Sequence, residues 1–190
     1  MKKIHKKMIF LLVFLLIANG AVYTAFADHD DYKEKKRYQK RERRYLEHNG
    51  KHCLSILNNP TYTESCGDCH FPYQPGLLPS GSWDKILNSL EDHFGEDIEL
   101  EPKFKKIIVK YLHANAANYS SSKISAKIMK CLGHQTPLRI TEIPYIRKKH
   151  HEIQLDVFKR ESIGSFSNCS ACHKTAEKGI YDDDNVLIPR

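Results

Sequence analysis

Two stretches of this 190-residue chain set a pair of thiols and an imidazole in the same order: Cys66-Gly67-Asp68-Cys69-His70 and Cys169-Ser170-Ala171-Cys172-His173. In a C-x-x-C-H run the two thiols can add to the two vinyl groups on one edge of a porphyrin. The adjacent His then reaches the iron from one face. Gly67 and Ala171 are small, as suits residues held close to a ring plane. Zinc is the competing chemistry, because paired C-x-x-C units can build a four-cysteine site, but zinc needs no His directly after both pairs. A thioredoxin-like C-x-x-C calls for a βαβ setting that the sequence lacks. The spacing therefore points to two covalent haems, with Cys66, Cys69, His70, Cys169, Cys172 and His173 as attaching and proximal groups.

Each iron would have a sixth position, usually filled by Met or His. Beyond the first 27 residues the only methionine is Met129, so at most one site can be His/Met. The histidines outside the motifs there are His29, His48, His52, His93, His113, His134, His150 and His151. His93 follows Ile86 and Leu90 at helical spacing and is the first candidate. His150 shares a stripe with Ile153 and Val157 and is the second. His151, with Leu155 at i+4, is a weaker case. His134 and His52 are reserves, and His113 is expected to face water. His93 lies 23 residues after His70 and His150 lies 23 residues before His173. This reversed order argues against a simple tandem duplication.

The elements that must position these groups read as mainly helical. Asn59-Pro60 precedes the first motif, which is expected on a short helix or turn ended by Pro72. A Pro/Gly-rich loop follows. Ser82 is expected to cap a helix carrying Trp83, Ile86, Leu87, Leu90, His93 and Phe94, closed by Gly95. A second helix starts near Pro102, with Phe104, Ile107, Ile108, Tyr111 and Leu112 as its apolar stripe. Residues 124–132 read as helix, 139–141 as a short strand and 145–158 as helix. The second motif is expected to open a helix stopped by Gly179.

Lys2, Lys3, Lys6 and Lys7, the apolar run from Met8 to Ile17 and Ala25-Phe26-Ala27 form the pattern of a secretory signal peptide cut after Ala27. The competing reading is an uncleaved anchor, but Asn19 and Gly20 interrupt its apolar run. Cytochrome c maturation takes place outside the cytoplasmic membrane, so the leader and the motifs support one another. Removing its four lysines leaves 26 basic against 23 acidic side chains. That balance gives no support to a nucleic-acid role. The organisation is then signal peptide 1–27, charged arm 28–50, a first lobe 51–120 and a second lobe 121–190. Cys53 and Cys131 are left over. In an oxidising compartment they are candidates for a disulfide between the lobes.

Beyond the motifs, several segments carry a resemblance. They are Phe71-Pro72-Tyr73-Gln74-Pro75-Gly76-Leu77-Leu78-Pro79 running on to Trp83, Asp92-His93-Phe94-Gly95-Glu96-Asp97, Tyr111-Leu112 with Asn115-Ala116-Ala117, Arg139-Ile140-Thr141, His150 with Glu152-Ile153, Asn168 before the second motif, and Ile188-Pro189. With them, residues 62–190 resemble the small dihaem cytochrome c family. The resemblance implies a mainly α fold of two small cytochrome c-like lobes, each around one covalent haem, with long loops. It implies His93 and His150 as distal ligands, giving two low-potential bis-His haems. It also implies an exported, periplasmic or extracytoplasmic electron carrier with no membrane span after signal cleavage. Its partners would be a membrane b-type cytochrome and a small oxygen-binding monohaem cytochrome. The charged arm and Cys53/Cys131 lie outside the pattern.

The alternative is a haem enzyme, a peroxidase or an oxygen-binding cytochrome, with one open iron position. A redox sensor using the charged arm as its output is a third class, without positive support. Acid acetone should leave both haems on the protein, and intact mass should show two haem increments on a chain starting at Asp28. Changing Cys169 and Cys172 to Ala should remove one of them.

Overall fold

The computed structural model describes Lys33, Lys36 and residues 53–190. The predicted signal peptide, most of the charged arm, His29, His48 and His52 lie outside the described residues. Among the described residues no strand forms, and between residues 53 and 190 six α-helices are joined by 3-10 turns and two isolated backbone bridges, His93 with Glu96 and His173 with Val186.

Helix α1, Pro60–Gly67, starts where Asn59 accepts from the Tyr62 N–H and Pro60 presets the first turn. Helix α2, Ser80–Asn88, is shorter than the sequence suggests and begins before Ser82, which is buried inside it. It stops where Ser89 leaves helical geometry (φ −128°, ψ 39°), and Leu90–Asp92 is a 3-10 turn. Helix α3, Pro102–Asn115, and helix α4, Lys123–Leu132, match their expected extents. The buried face of α3 centres on Ile108 and Leu112, while Phe104 and Ile107 sit at its exposed edge.

Three expectations in the C-terminal part are overturned. Residues 139–141 are not a strand: Ile140–Glu142 is a 3-10 turn, and Pro144 holds Ile143 extended. Helix α5 runs only Pro144–Lys149, because His150 departs to φ −112° and ψ 10°. Helix α6 is a single turn, Cys169–Cys172, since His173 is extended; a 3-10 turn, Ala176–Lys178, then ends at Gly179 with φ 70°. A side chain at Gly179 would strike the Leu54 carbonyl, whose own N–H bonds the Gly179 carbonyl at 2.9 Å.

One apolar cluster joins Leu54, Tyr62, Leu77, Leu78, Trp83, Leu87, Ile108, Leu112, Ile128, Leu132 and Ile143. The irregular segment Tyr73–Pro79 threads its middle. Tyr62 Oη donates to the Tyr73 carbonyl (2.7 Å), Trp83 Nε1 to Pro75 (2.9 Å), Ser125 Oγ to Gly76 (2.7 Å) and the Ala117 N–H to Leu78 (2.8 Å). Gln74 is fully buried; its Nε2 donates to the Ala176 carbonyl, and its Oε1 accepts from Tyr181 Oη, both at 2.5 Å. The stretch 150–175 is packed far more thinly: Ile163 is its one buried residue. Cys53 and Cys131 are free thiols, so the predicted bridge is not formed. Cys131 lies on the outer side of α4, next to buried Leu132, and is exposed.

Gln74→Leu would strand the Tyr181 hydroxyl in the interior and leave the Ala176 carbonyl with only the Gly179 N–H. Leaving the hydroxyl unpaired should cost about 1–3 kcal/mol, read as a lower urea midpoint of the oxidised holoprotein at unchanged slope.

Candidate haem-binding sites

The first motif straddles the end of a helix. Cys66 lies in the last turn of α1, packed against the core, and burial pushes its thiol up to about 11. Cys69 and His70 follow in an exposed turn, and His70 Nδ1 lies 2.8 Å from the Phe71 carbonyl. A carbonyl only accepts, so Nδ1 carries the proton, and Nε2 of the neutral ring is free to bind a metal. His93 does not project from a helix face, contrary to the expectation. A tight turn places it: its N–H bonds the Glu96 carbonyl at 2.7 Å, Asp92 Oδ1 accepts from the Gly95 N–H at 3.1 Å, and Phe94 adopts φ 61°. The rings of His70 and His93 face each other with centroids 6.2 Å apart and planes 16° from parallel.

The second motif forms α6. Asn168 Nδ2 ties it to the Ile163 carbonyl at 2.9 Å, and the Leu187 N–H bonds the Cys172 carbonyl at 2.9 Å. Burial pushes the Cys169 thiol up to about 11. His150 Nδ1 lies 2.8 Å from the Ile146 carbonyl, one of the carbonyls left over at the end of α5. That bond replaces the predicted helical stripe as the reason for its orientation. His150 and His173 have ring centroids 5.9 Å apart and planes at 71°. Phe166 packs against His150 at 5.2 Å and Phe158 against Phe166 at 4.6 Å, which walls this site.

Both pairs have the spacing of two imidazoles on one metal ion. With metal–nitrogen bonds of about 2 Å and ring centres about 1 Å further out, opposed imidazoles stand about 6 Å apart. His93 and His173 are held below the ordinary imidazole range, first by burial and then by the opposing His; Arg139 adds to this at His93, while Asp183 opposes it at His173. Both rings therefore stay neutral, as a ligand must. The Nδ1 atoms of His93 and His173 are buried and have no hydrogen-bond partner among the described residues. Two paired imidazoles with two thiols beside each proximal His fit a covalently held haem.

The other candidates are placed elsewhere. His113 is part-exposed as expected, and its Nε2 lies 2.6 Å from Asp84 Oδ1, linking α3 to α2. His151 is exposed and bonds the Lys148 carbonyl, His134 is exposed, and Met129 is half-buried on α4. Among the described residues no three His, Cys, Asp or Glu side chains converge on a common metal position, so the four cysteines do not form a zinc site. Sequence reasoning did not single out Phe158 and Phe166, and it quoted Arg139, whose guanidinium lies 4.0 Å over the Phe94 ring, without giving it a site role. It likewise gave no site role to Tyr73 and Tyr181, whose rings lie 5.3 Å from His70 and His173 respectively. The aromatic side chains flanking Gly164 were the available signal for the first pair.

A helical chain that presents two C-x-x-C-H turns belongs to the class of c-type cytochromes. The family described as dihaem cytochrome c matches residues 62–181. The chain is similar to a diheme cytochrome c structure from Rhodobacter sphaeroides, at 35% identity and TM-score 0.60, over 67% of this chain and 100% of that one. It is also similar to the diheme cytochrome type c of Shewanella baltica OS155, at 38% identity and TM-score 0.57, over 70% of this chain and 95% of that one. No curated protein matches. The chain belongs to the dihaem cytochrome c family, which implies two covalently bound haem c groups and electron transfer. None of the helices among the described residues is long and apolar enough to cross a membrane.

Proposed function

We propose that this protein is an extracytoplasmic electron carrier with two low-potential bis-His haems. Cys66, Cys69 and His70 hold the first, opposed by His93. Cys169, Cys172 and His173 hold the second, opposed by His150. The observation that carries this reading is the spacing of the two His pairs, 6.2 and 5.9 Å between ring centroids. When bound, haem supplies a one-electron ferric/ferrous couple.

The chain's own groups set what that couple does. Two neutral imidazoles donate to each iron and favour the ferric state, which keeps the potential low. The hydrogen bonds from His70 Nδ1 and His150 Nδ1 to backbone carbonyls fix one ring of each pair and raise its basicity. Filling both axial positions leaves no place for a substrate, which supports a carrier over a peroxidase or an oxygen-binding cytochrome. The resemblance supports a membrane b-type cytochrome as donor and a small oxygen-binding monohaem cytochrome as acceptor. The leader pattern in residues 1–27 supports export.

EPR of the oxidised protein tests this. Both irons should be low-spin, with two distinct signals: a rhombic one from the near-parallel pair and a strongly anisotropic one from the near-perpendicular pair. A high-spin signal would favour the enzyme reading. His93→Ala should convert one haem to a high-spin, CO-binding form and raise its potential, while the thioethers keep the haem attached. A fully low-spin His93→Ala spectrum, maintained when His134→Ala is added, would rule out His93 as a ligand. His150→Ala should open the other haem and leave the first signal intact, and exposed His151→Ala should change neither.

A further inference from the structure

The two sites are joined by a short run of contacts that neither motif contains. The Tyr73 ring packs on His70 with centroids 5.3 Å apart and planes tilted by 30°. The Tyr73 hydroxyl donates to the Ser167 carbonyl at 2.7 Å. That carbonyl also accepts from the backbone N–H of Cys169 at 3.0 Å. One side chain therefore touches the proximal His of the first motif and, through one carbonyl, the first cysteine of the second. A longer branch leaves the same loop: Gln74 Oε1 accepts from Tyr181, whose ring lies 5.3 Å from His173.

We propose that Tyr73 is the coupling residue for electron exchange between the two haems, through its ring contact with His70 and its hydrogen bond to Ser167. This rests on the ligand assignment proposed above. In the exchange one electron leaves the ferrous iron at the first site, which becomes ferric, and reduces the ferric iron at the second. Tyr73 gains and loses nothing: it keeps its proton and its electrons and supplies orbital contact across the gap. The ring is also held from behind by Phe71, edge-on at 5.7 Å, which restricts its rotation off His70.

The test is the inter-haem equilibration rate after flash reduction of one haem in the oxidised holoprotein, for wild type, Tyr73→Phe, Tyr73→Leu and the exposed-site control Tyr119→Phe. EPR of each oxidised variant checks that both irons remain low-spin and measures their dipolar separation. A redox titration gives both midpoint potentials. Tyr73→Phe, which keeps the ring and deletes the hydrogen bond, should slow equilibration several-fold, and Tyr73→Leu should slow it further. Separation and potentials should be unchanged, and Tyr119→Phe should keep the wild-type rate. A wild-type rate in Tyr73→Phe would overturn the proposal, as would equal slowing in Tyr119→Phe. A changed separation or a lost low-spin signal in Tyr73→Phe would make Tyr73 a packing residue and would overturn it too. The wild-type spectrum tests the bis-His reading separately, since one low-spin signal there would refute that reading whatever the variants do.

Discussion

An amide can sit in a dry interior only when both of its ends are bonded, and Gln74 meets that demand with partners far away in sequence. Its Nε2 reaches the carbonyl of Ala176 and its Oε1 takes the Tyr181 hydroxyl, both beyond the second haem motif. The same logic governs the segment around it. Tyr73–Pro79 has one 3-10 turn and little other regular structure, so its buried carbonyls must find donors outside it. Tyr62, Trp83, Ser125 and Ala117 supply donors to four of them, and the first turn of α2 donates to the Pro79 carbonyl. An irregular loop thereby becomes the part to which α1, α2, α4, the end of α3 and the second haem segment are all referred. Its position directly after His70 means that the first motif inherits this rigidity.

The two His pairs reach nearly the same separation by different local means. At the first, the proximal ring is fixed by the next residue's carbonyl, and its opposite number is aimed by a strained turn. Phe94 there holds left-handed backbone that costs an L-residue about 1–2 kcal/mol. At the second, the distal ring is fixed by a carbonyl at the end of α5, and the proximal residue is pinned by its backbone bridge to Val186. The ring planes differ accordingly, 16° against 71°. Nothing in this arrangement resembles a duplicated unit, which agrees with the reversed order of motif and partner along the chain.

The two motifs were legible because covalent attachment dictates residue type and spacing outright. His93 and His150 were also singled out, and the structure sets each opposite a motif His, but not for the reason the sequence offered. Helical periodicity put each on an apolar stripe, and neither stripe exists: α2 ends at Asn88 and α5 at Lys149. What aims these rings is the Asp92–Glu96 turn and a leftover helix carbonyl, features of backbone geometry that hydrophobic pattern does not encode. Helices α3 and α4 were readable because long amphipathic runs with Pro102 and Ser122 at their starts leave few alternatives. The role of Tyr73–Pro79 was hidden, since Pro and Gly announce a loop without saying what the loop will touch. The pairing of Cys53 with Cys131 came from redox compartment alone and had no geometric basis.

Between residues 150 and 175 the chain buries Ile163 and little else. Such a stretch cannot offset its own conformational entropy with apolar contacts drawn from within. A covalently attached macrocycle changes that balance, because apolar surface lodged permanently beside His150, Phe166 and His173 contributes what the polypeptide omits. Attachment at the second motif is thus a thermodynamic partner of folding for this part of the molecule, in the way that a structural metal is for a small metallo-domain.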